Sequence, residues 1–115
     1  MAAFPDYVPD EADIVWLDFT PQSGHEQAGR RPAVVLSPKA YNRRAGLLVC
    51  IPVTSQIKGY PFEVTLSGAD ATGAALADQL KSLDWQTRRA ERKGKATAAE
   101  MAEIRAKIKA LLRLA

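Results

Sequence analysis

Short runs of branched and aromatic residues alternate with turn residues over the first two-thirds of the chain. Such runs are typical of β-strands, and the Gly and Pro residues between them are typical of turns. Four runs predict strands, over 14–19, 33–36, 47–53 and 62–66. The weaker run ALADQLKSLDW, over 75–85, predicts one or two more strands. Pro52, inside the third run, predicts a sheet edge or a bulge at that point.

The last part of the chain has a helical pattern instead. Thr97 and Glu100 have the spacing of a capping box, in which each side chain accepts a free backbone N–H at the helix start. Apolar residues then recur at helical spacing, at Met101, Ile104, Ile108, Leu111 and Leu112. We expect this stripe to be core, packed on the strands. Several short strands with one closing helix predict a mainly β fold, a small, partly open barrel with a C-terminal helix.

Composition narrows the class of protein. With 115 residues, 47% hydrophobic and 25% charged, the chain is typical of one soluble globular domain covering 1–115. No apolar run is as long as a membrane span, and the N-terminus lacks the features of a signal peptide. A single cysteine, Cys50, and a single histidine, His25, exclude an internal disulfide and a zinc-type ligand set. We therefore expect a cytoplasmic protein with no membrane partner, metal ion or cofactor.

Charge is unevenly distributed along the chain. The first 29 residues contain six acids and no Lys or Arg, whereas residues 85–115 contain nine basic and three acidic residues. A basic half attracts phosphate groups, although solvated faces of Lys and Arg are also common. The densest cluster, which we call the basic cluster, comprises Arg88, Arg89, Arg92, Lys93 and Lys95. On sequence alone it is a solvated turn, a phosphate-docking surface or a surface for an acidic protein segment.

The connector HEQAGRRP, over 25–32, carries more chemistry than a turn requires. Cleavage of RNA by its own 2′-OH needs a base for the hydroxyl proton and positive charge for the phosphate oxygens. Glu26 is able to act as the base, and Arg31 or Arg30 as the electrostatic clamp. The imidazole of His25 is also able to exchange a proton near neutral pH. The alternative is an exposed Glu–Arg pair in an ordinary loop, and these residues alone do not decide between the two.

Three segments, HEQAGRRPAVVLSP, IPVTSQIKGYPFEV and ALADQLKSLDW, occur in this order. Together they resemble the MazF/PemK family of toxin endoribonucleases, the toxin halves of type II toxin–antitoxin pairs. The resemblance runs from about Asp13 to the C-terminal helix. It implies a small SH3-like, PemK/MazF-like β-barrel, a homodimer, and metal-independent cleavage of single-stranded RNA at short sequences.

The resemblance also implies roles for individual residues. Glu26 takes the position of the family's acid/base carboxylate, Arg31 that of its catalytic arginine, and Thr54 that of a threonine holding the scissile phosphate. The candidate RNA-binding residues are His25, Gln27, Lys58 and Gln79, and Tyr60 lies in the same loop as Lys58. Many relatives have Ser where this chain has His25. Because a guanidinium stays protonated in proteins, we assign Arg31 charge stabilisation and leave the donor to the 5′-oxygen unassigned.

The sequence thus predicts a sequence-specific mRNA interferase that leaves a 2′,3′-cyclic phosphate and a 5′-OH end. Its expected partners are single-stranded RNA, a second copy of the chain, and an antitoxin with an acidic, partly disordered C-terminal segment. Two alternatives remain open. The same barrel serves toxins that bind and poison DNA gyrase without cutting RNA. An inactive RNA-binding module would show salt-dependent affinity for RNA and form no products.

Overall fold

The computed structural model describes residues 6–19, 29–68 and 72–115. This part of the chain contains seven strands and two helices. In chain order they are β1 Asp13–Phe19, β2 Gly29–Val35, α1 Lys39–Ala45, β3 Leu47–Thr54, β4 Glu63–Leu66, β5 Gly73–Leu76, β6 Lys81–Asp84, β7 Glu91–Lys95 and α2 Ala98–Leu112. The prediction of a mainly β fold with a C-terminal helix is confirmed, and the run over 75–85 contributes to two strands.

Two elements are absent from the sequence-based prediction. Helix α1 crosses between β2 and β3, and its buried Asn42 donates from its amide to the Pro9 carbonyl oxygen at 2.8 Å. Strand β7, with the sequence ERKGK, has none of the apolar alternation that marks a half-buried strand. It is a strand because its backbone pairs with β1, with Ile14 opposite Gly94. Tertiary pairing therefore overrides local propensity here.

The strands form one antiparallel sheet in the order β4-β5-β3-β2-β1-β7, with β6 paired to β3. Strand β2 lies along one edge of β3, and β5 and β6 share the other edge, at 53–54 and at 47–50. Residues 77–80 connect β5 to β6. Pro52 thus lies in an interior strand rather than at an edge. It falls between the part of β3 that pairs with β6 and the part that pairs with β5, and such an irregularity tolerates a proline.

Apolar clusters cover both faces of the sheet. On one face Met101 and Ile104 of α2 pack with Ile14, Val34 and Ile51. The other face has a separate cluster without α2 residues, formed by Val15, Leu17, Ala33, Val35, Leu48, Cys50 and Trp85. The α2 helix therefore covers a single face and leaves the opposite one to the loops and the N-terminal segment.

The start of α2 is fixed by the predicted capping box, which is confirmed. The Thr97 hydroxyl oxygen accepts from Glu100 N at 3.1 Å, and the Glu100 carboxylate accepts from Thr97 N at 2.9 Å. The same carboxylate also accepts from Ser67 N at 2.8 Å. This third bond joins the first turn of the helix to the end of β4.

The last turns of α2 differ from the prediction. Met101 and Ile104 are buried, but Leu111 is 39% and Leu112 52% exposed. The prediction that the whole stripe is core is therefore wrong for its C-terminal end. The stripe extends beyond the residues that pack on the sheet. Within the described part of the chain, the apolar face of the last turn is therefore exposed.

Gly73 supports the end of β3 in a way that no other residue type allows. Its φ is +114°, and a Cβ built on it would lie 2.2 Å from the Thr54 carbonyl oxygen. We expect Gly73→Ala to lower the free energy of unfolding by roughly 2 kcal/mol or more, from strain and steric overlap together. The matched control is Gly68→Ala, where an added Cβ meets no atom within 4 Å. Urea denaturation measures both, and equal stability of the two variants would contradict the prediction.

Candidate active site

The pairing of β2 with β3 determines where two predicted site residues lie. The strands run antiparallel with Ala33 opposite Pro52. The pairing ends at this pair, and Arg31 in β2 and Thr54 in β3 lie two residues beyond it. Side chains alternate along a strand, and residues directly opposite in an antiparallel pair point to the same face. Arg31 and Thr54 therefore lie on one face, at the same end of the two strands.

Arg31 projects from the face that α2 does not cover. Side chains alternate along a strand, so Arg31 shares a face with Ala33, which belongs to the cluster without α2 residues. Its opposite neighbour in β1 is Leu17, from the same cluster. Arg31 is half-buried, and within the described residues its guanidinium makes no hydrogen bond or ion pair. Within the same residues, no carboxylate neutralises this guanidinium.

Arg30, the other arginine of HEQAGRRP, also lies in β2 but has a different environment. It pairs with Asp18 across the β1–β2 hairpin, with Arg30 Nη1 2.9 Å from Asp18 Oδ1. Its Nη2 lies 3.3 Å from a Glu91 carboxylate oxygen. Arg89 also binds Asp18, through Nε at 2.6 Å. The structure thus separates two adjacent arginines that the sequence left equivalent, because Arg30 is neutralised by acids and Arg31 has no acid partner among the described residues.

Asp18 is the centre of this ion-pair network. Hydrogen bonds from Arg89 and Arg30 hold the pKa of its carboxyl well below its ordinary range, at about 2. Its backbone also pairs with Arg88, since Asp18 N donates to the Arg88 carbonyl oxygen at 2.9 Å. Asp18 therefore connects β1 and β2 to the turn before β7, and its carboxyl is ionised at neutral pH.

The basic cluster is largely engaged inside the molecule. Arg88 Nη1 donates to the Asp18 carbonyl oxygen at 3.1 Å, and Arg89 pairs with the Asp18 carboxylate. Arg92 and Lys95 lie 3.8 and 3.7 Å from a buried Asp13 oxygen. Lys93 Nζ lies 5.3 Å from the centre of the Trp16 ring, within range of a cation–π interaction. Every member of the cluster thus has a partner within the molecule, and Asp13 and Asp18 are each shared by two members.

Thr54 ends β3 and starts the loop that follows. Its hydroxyl oxygen accepts from Gln56 N at 3.1 Å. The accepted bond uses a lone pair, so the hydroxyl hydrogen remains available to donate. A phosphate oxygen is an acceptor of the kind that such a donor would bind. The local turn therefore orients the Thr54 hydroxyl without consuming its donor.

Lys58 lies in an exposed loop over 55–62, which we call the Lys58 loop. A side-chain contact connects this loop to the segment 77–80, which joins β5 to β6 and carries Gln79. The Tyr60 hydroxyl donates to Asp78 Oδ2 at 2.8 Å, and this bond raises the pKa of Tyr60. The other Asp78 oxygen is buried and has no hydrogen-bond partner among the described residues. The neighbouring Gln79 is exposed, and within the same residues its side chain is unpaired.

The predicted site residues therefore divide into two groups. Arg31 and Thr54 lie on one face at the same end of β2 and β3, and Thr54 leads directly into the Lys58 loop, which the Tyr60 hydroxyl joins to Asp78, next to Gln79. The remaining predicted residues, His25, Glu26 and Gln27, lie outside the described residues.

Sequence reasoning missed two carboxylates near these residues. One is Asp78, whose pairing with Tyr60 spans 18 positions and has no local signal. The other is Glu63, which accepts from the backbone of Lys58, Gly59 and Tyr60. For Glu63 a local signal was available, because this carboxylate follows the turn residues Gly59 and Tyr60 closely in the sequence.

The chain matches the family described as PemK-like, MazF-like toxin of type II toxin–antitoxin systems, over residues 10–112. The chain belongs to this family. It is 55% identical over 106 residues to the endoribonuclease toxin MazF of Escherichia coli K12, covering 92% of this chain and 96% of that protein. A MazE–MazF crystal structure from Deinococcus radiodurans is 57% identical with a TM-score of 0.89, covering 96% of this chain and all of that one.

A crystal structure of Deinococcus radiodurans MazF itself has a TM-score of 0.87 at 57% identity, over 95% of this chain and all of that one. The predicted MazF-like fold class is thereby confirmed, with its curled sheet and C-terminal helix. Among the described residues of this MazF-like chain, no three His, Cys, Asp or Glu side chains come together as metal ligands. No helix within that part is long and apolar enough to cross a membrane.

The low pKa of Asp18 makes its contribution to stability depend on pH. The pKa is about 2 in the folded protein against an ordinary 3.8, so the stabilisation is fully present above about pH 4 and is lost as the pH falls towards 2. Asp18→Asn should therefore be less stable than the wild type at pH 7, and the difference should shrink between about pH 4 and 2. Urea denaturation over this range measures the difference.

The control is Glu103→Gln, an exposed carboxylate on α2 whose ion pair with Lys107 measures 4.0 Å. It should change stability little at any pH, because exposed helix pairs contribute little. A gap between wild type and Asp18→Asn that stays constant down to about pH 2.5 would contradict the role assigned to Asp18.

Proposed function

We propose that this chain, an endoribonuclease toxin of the MazF-like family, cleaves single-stranded RNA at short sequences by attack of the RNA's own 2′-hydroxyl on the adjacent phosphate, without a metal ion. The O2′–P bond forms as the P–O5′ bond breaks. The products are a 2′,3′-cyclic phosphate and a 5′-OH end. Glu26 takes the proton of the attacking 2′-hydroxyl, and His25 and Gln27 bind the RNA next to it.

The observation that carries this proposal is the contrast between Arg30 and Arg31. Arg30 is neutralised by Asp18 and Glu91, whereas the half-buried guanidinium of Arg31 has no partner among the described residues and shares a face with Thr54. Negative charge accumulates on the non-bridging oxygens during phosphoryl transfer, so a fixed cation beside a hydroxyl donor stabilises the transition state more than the bound substrate. Arg31 is assigned that charge stabilisation, and Thr54 orients the phosphate.

The adjacent arginines provide a matched pair of variants. We expect Arg31→Ala to slow RNA cleavage at least about 100-fold, the typical effect of removing one transition-state donor. Arg30→Ala should retain cleavage within a few-fold and lose stability instead, because Arg30 pairs with Asp18. Glu26→Ala should abolish cleavage. The assay incubates a long, defined single-stranded RNA with each protein in excess EDTA and maps new 5′ ends by primer extension.

The same assay separates the proposed function from its alternatives. Discrete cuts at a recurring short motif by the wild type in EDTA, absent in Glu26→Ala, support the endoribonuclease. Uncut RNA together with inhibited gyrase in a DNA supercoiling assay would favour a gyrase-binding toxin. Uncut RNA that binds in a salt-dependent manner would favour an inactive RNA-binding module. Equal activity of Arg31→Ala and the wild type would remove Arg31 from the mechanism.

A second copy of the chain is the proposed partner for the exposed end of α2. The surface there has a groove of about 480 Å³ with a mainly apolar lining that includes Leu36, Val49, Leu80, Ile108 and Leu114. Leu112, next to it on the helix, is 52% exposed. Contiguous exposed apolar surface is typical of protein interfaces, and a homodimer would bury it.

Charge on this surface should dissociate the dimer. We expect Leu112→Glu to be monomeric at concentrations at which the wild type is dimeric, because the carboxylate would have to be buried in an apolar contact. Ala110→Glu is the control, since Ala110 is exposed about 160° away around the helix. Sedimentation velocity measures both variants. A dimeric Leu112→Glu protein, or a monomeric wild type, would contradict this interface.

The other proposed partner is a cognate antitoxin with an acidic, partly disordered C-terminal segment that competes with RNA. A MazE–MazF complex has been solved for the Deinococcus radiodurans relative, which supports a partner of this type. An acidic segment would bind the same cations that are proposed for RNA, the half-buried Arg31 and the exposed Lys58. The proposed location of toxin and antitoxin is the cytoplasm, where the mRNA substrate is found.

A further inference from the structure

The Lys58 loop is organised around the carboxylate of Glu63, the first residue of β4. Glu63 Oε1 accepts from three consecutive backbone N–H groups, at 3.2 Å from Lys58, 2.9 Å from Gly59 and 3.2 Å from Tyr60. Its Oε2 accepts from Lys58 N as well, at 3.1 Å. Gly59 has a φ of +77°, a left-handed conformation that turns successive N–H groups towards one point. Such an arrangement is an anion-binding nest, and here it holds an anion from its own chain.

Further contacts join the loop to the rest of the fold. The Tyr60 hydroxyl donates to Asp78, and Lys107 Nζ of α2 donates to the Pro61 carbonyl oxygen at 2.7 Å. The rings of Tyr60 and Phe62 lie 5.9 Å apart in a tilted contact. These contacts hold the second half of the loop. In the first half, Gln56 N donates to the Thr54 hydroxyl, and Lys58 is held by the Glu63 carboxylate.

We propose that Glu63 is a positioning residue for RNA binding, which holds the Lys58 loop so that the Lys58 ammonium and the Tyr60 ring face the substrate next to Thr54. The inference rests on the proposed function and adds to it a residue that does not itself touch RNA. Glu63 acts through the backbone of Lys58, Gly59 and Tyr60.

Three physical arguments support this role. Charge-assisted hydrogen bonds are about twice as strong as neutral ones. The bonds to one carboxylate therefore order a loop that is exposed and has little packing to stabilise it. An ordered loop also presents its cation without a further loss of entropy on binding. In addition, the N–H dipoles offset the charge of Glu63, so that a carboxylate is tolerated beside a site for a polyanion.

The role predicts a specific change in kinetics. Glu63→Ala should raise KM for a short RNA that contains the mapped cleavage motif about tenfold, with kcat changed less than twofold, because binding is lost and the chemistry at Arg31 is not. Glu63→Gln, which keeps an acceptor oxygen without the charge, should fall between Glu63→Ala and the wild type. Thr65→Ala, an exposed change in the same strand, is the control and should match the wild type in both parameters.

A double-mutant cycle tests whether Glu63 acts through Lys58. Lys58→Ala should raise KM several-fold in the wild type and hardly at all in Glu63→Ala, because the ammonium is then no longer held at the substrate. Amide hydrogen exchange, measured by NMR without RNA, should show faster exchange at Lys58, Gly59 and Tyr60 in Glu63→Ala than in Thr65→Ala. This measurement tests the loop independently of activity.

Each outcome has a defined meaning. An unchanged KM in Glu63→Ala, additive effects of Lys58→Ala and Glu63→Ala, or unchanged exchange at the three amides would overturn this inference while cleavage by the wild type still supports the proposed function. A fall in kcat with unchanged KM would assign Glu63 to the chemistry and also overturn it. Absence of cleavage by the wild type would overturn the proposed function, and this inference with it.

Discussion

The register between β2 and β3 is the constraint on which the candidate site depends. Strand β3 is interior, with β2 along one edge and β5 and β6 along the other, so its position relative to β2 is determined from both sides. A slip of one residue would turn every side chain of β2 to the opposite face. Arg31 would then point towards α2, and Arg30 would take its place. The apolar residues Ala33, Val34 and Val35 make such a slip costly, because they pack into two different clusters.

The charges of the protein are distributed differently in space than along the chain. The acidic N-terminal part folds against the basic C-terminal part, since Asp13 and Asp18 of β1 lie between cations from β7 and the turn before it. Several cations of the basic C-terminal part are therefore paired with acids of the N-terminal part. Among the cations that make no ion pair within the described residues, Arg31 lies on the sheet and Lys58 in its loop.

The carboxylates close to the candidate site also accept hydrogen bonds within the molecule. Glu63 is surrounded by backbone N–H groups, and Asp78 accepts the Tyr60 hydroxyl. A free carboxylate at either position would repel RNA, whereas a bonded one stabilises the loop that binds it. The second oxygen of Asp78, next to Gln79, is buried and has no partner among the described residues. It is therefore still able to accept a hydrogen bond. The Lys58 loop and the segment 77–80 thus carry both stabilising contacts and proposed functional groups.

The sequence alone determined the elements with strong local signals and the family. Alternating apolar runs marked four of the strands, and Thr97 with Glu100 marked the start of α2, because these patterns depend on neighbours within a few residues. Tertiary structure decided the rest. Strand β7 forms only because β1 offers a backbone to pair with, and the end of the α2 stripe is exposed because the sheet does not reach it. Arg30 and Arg31 are the same residue type in adjacent positions. Because side chains alternate along β2, Arg30 lies beside Asp18 and pairs with it, whereas Arg31 points to the other face and has no partner among the described residues.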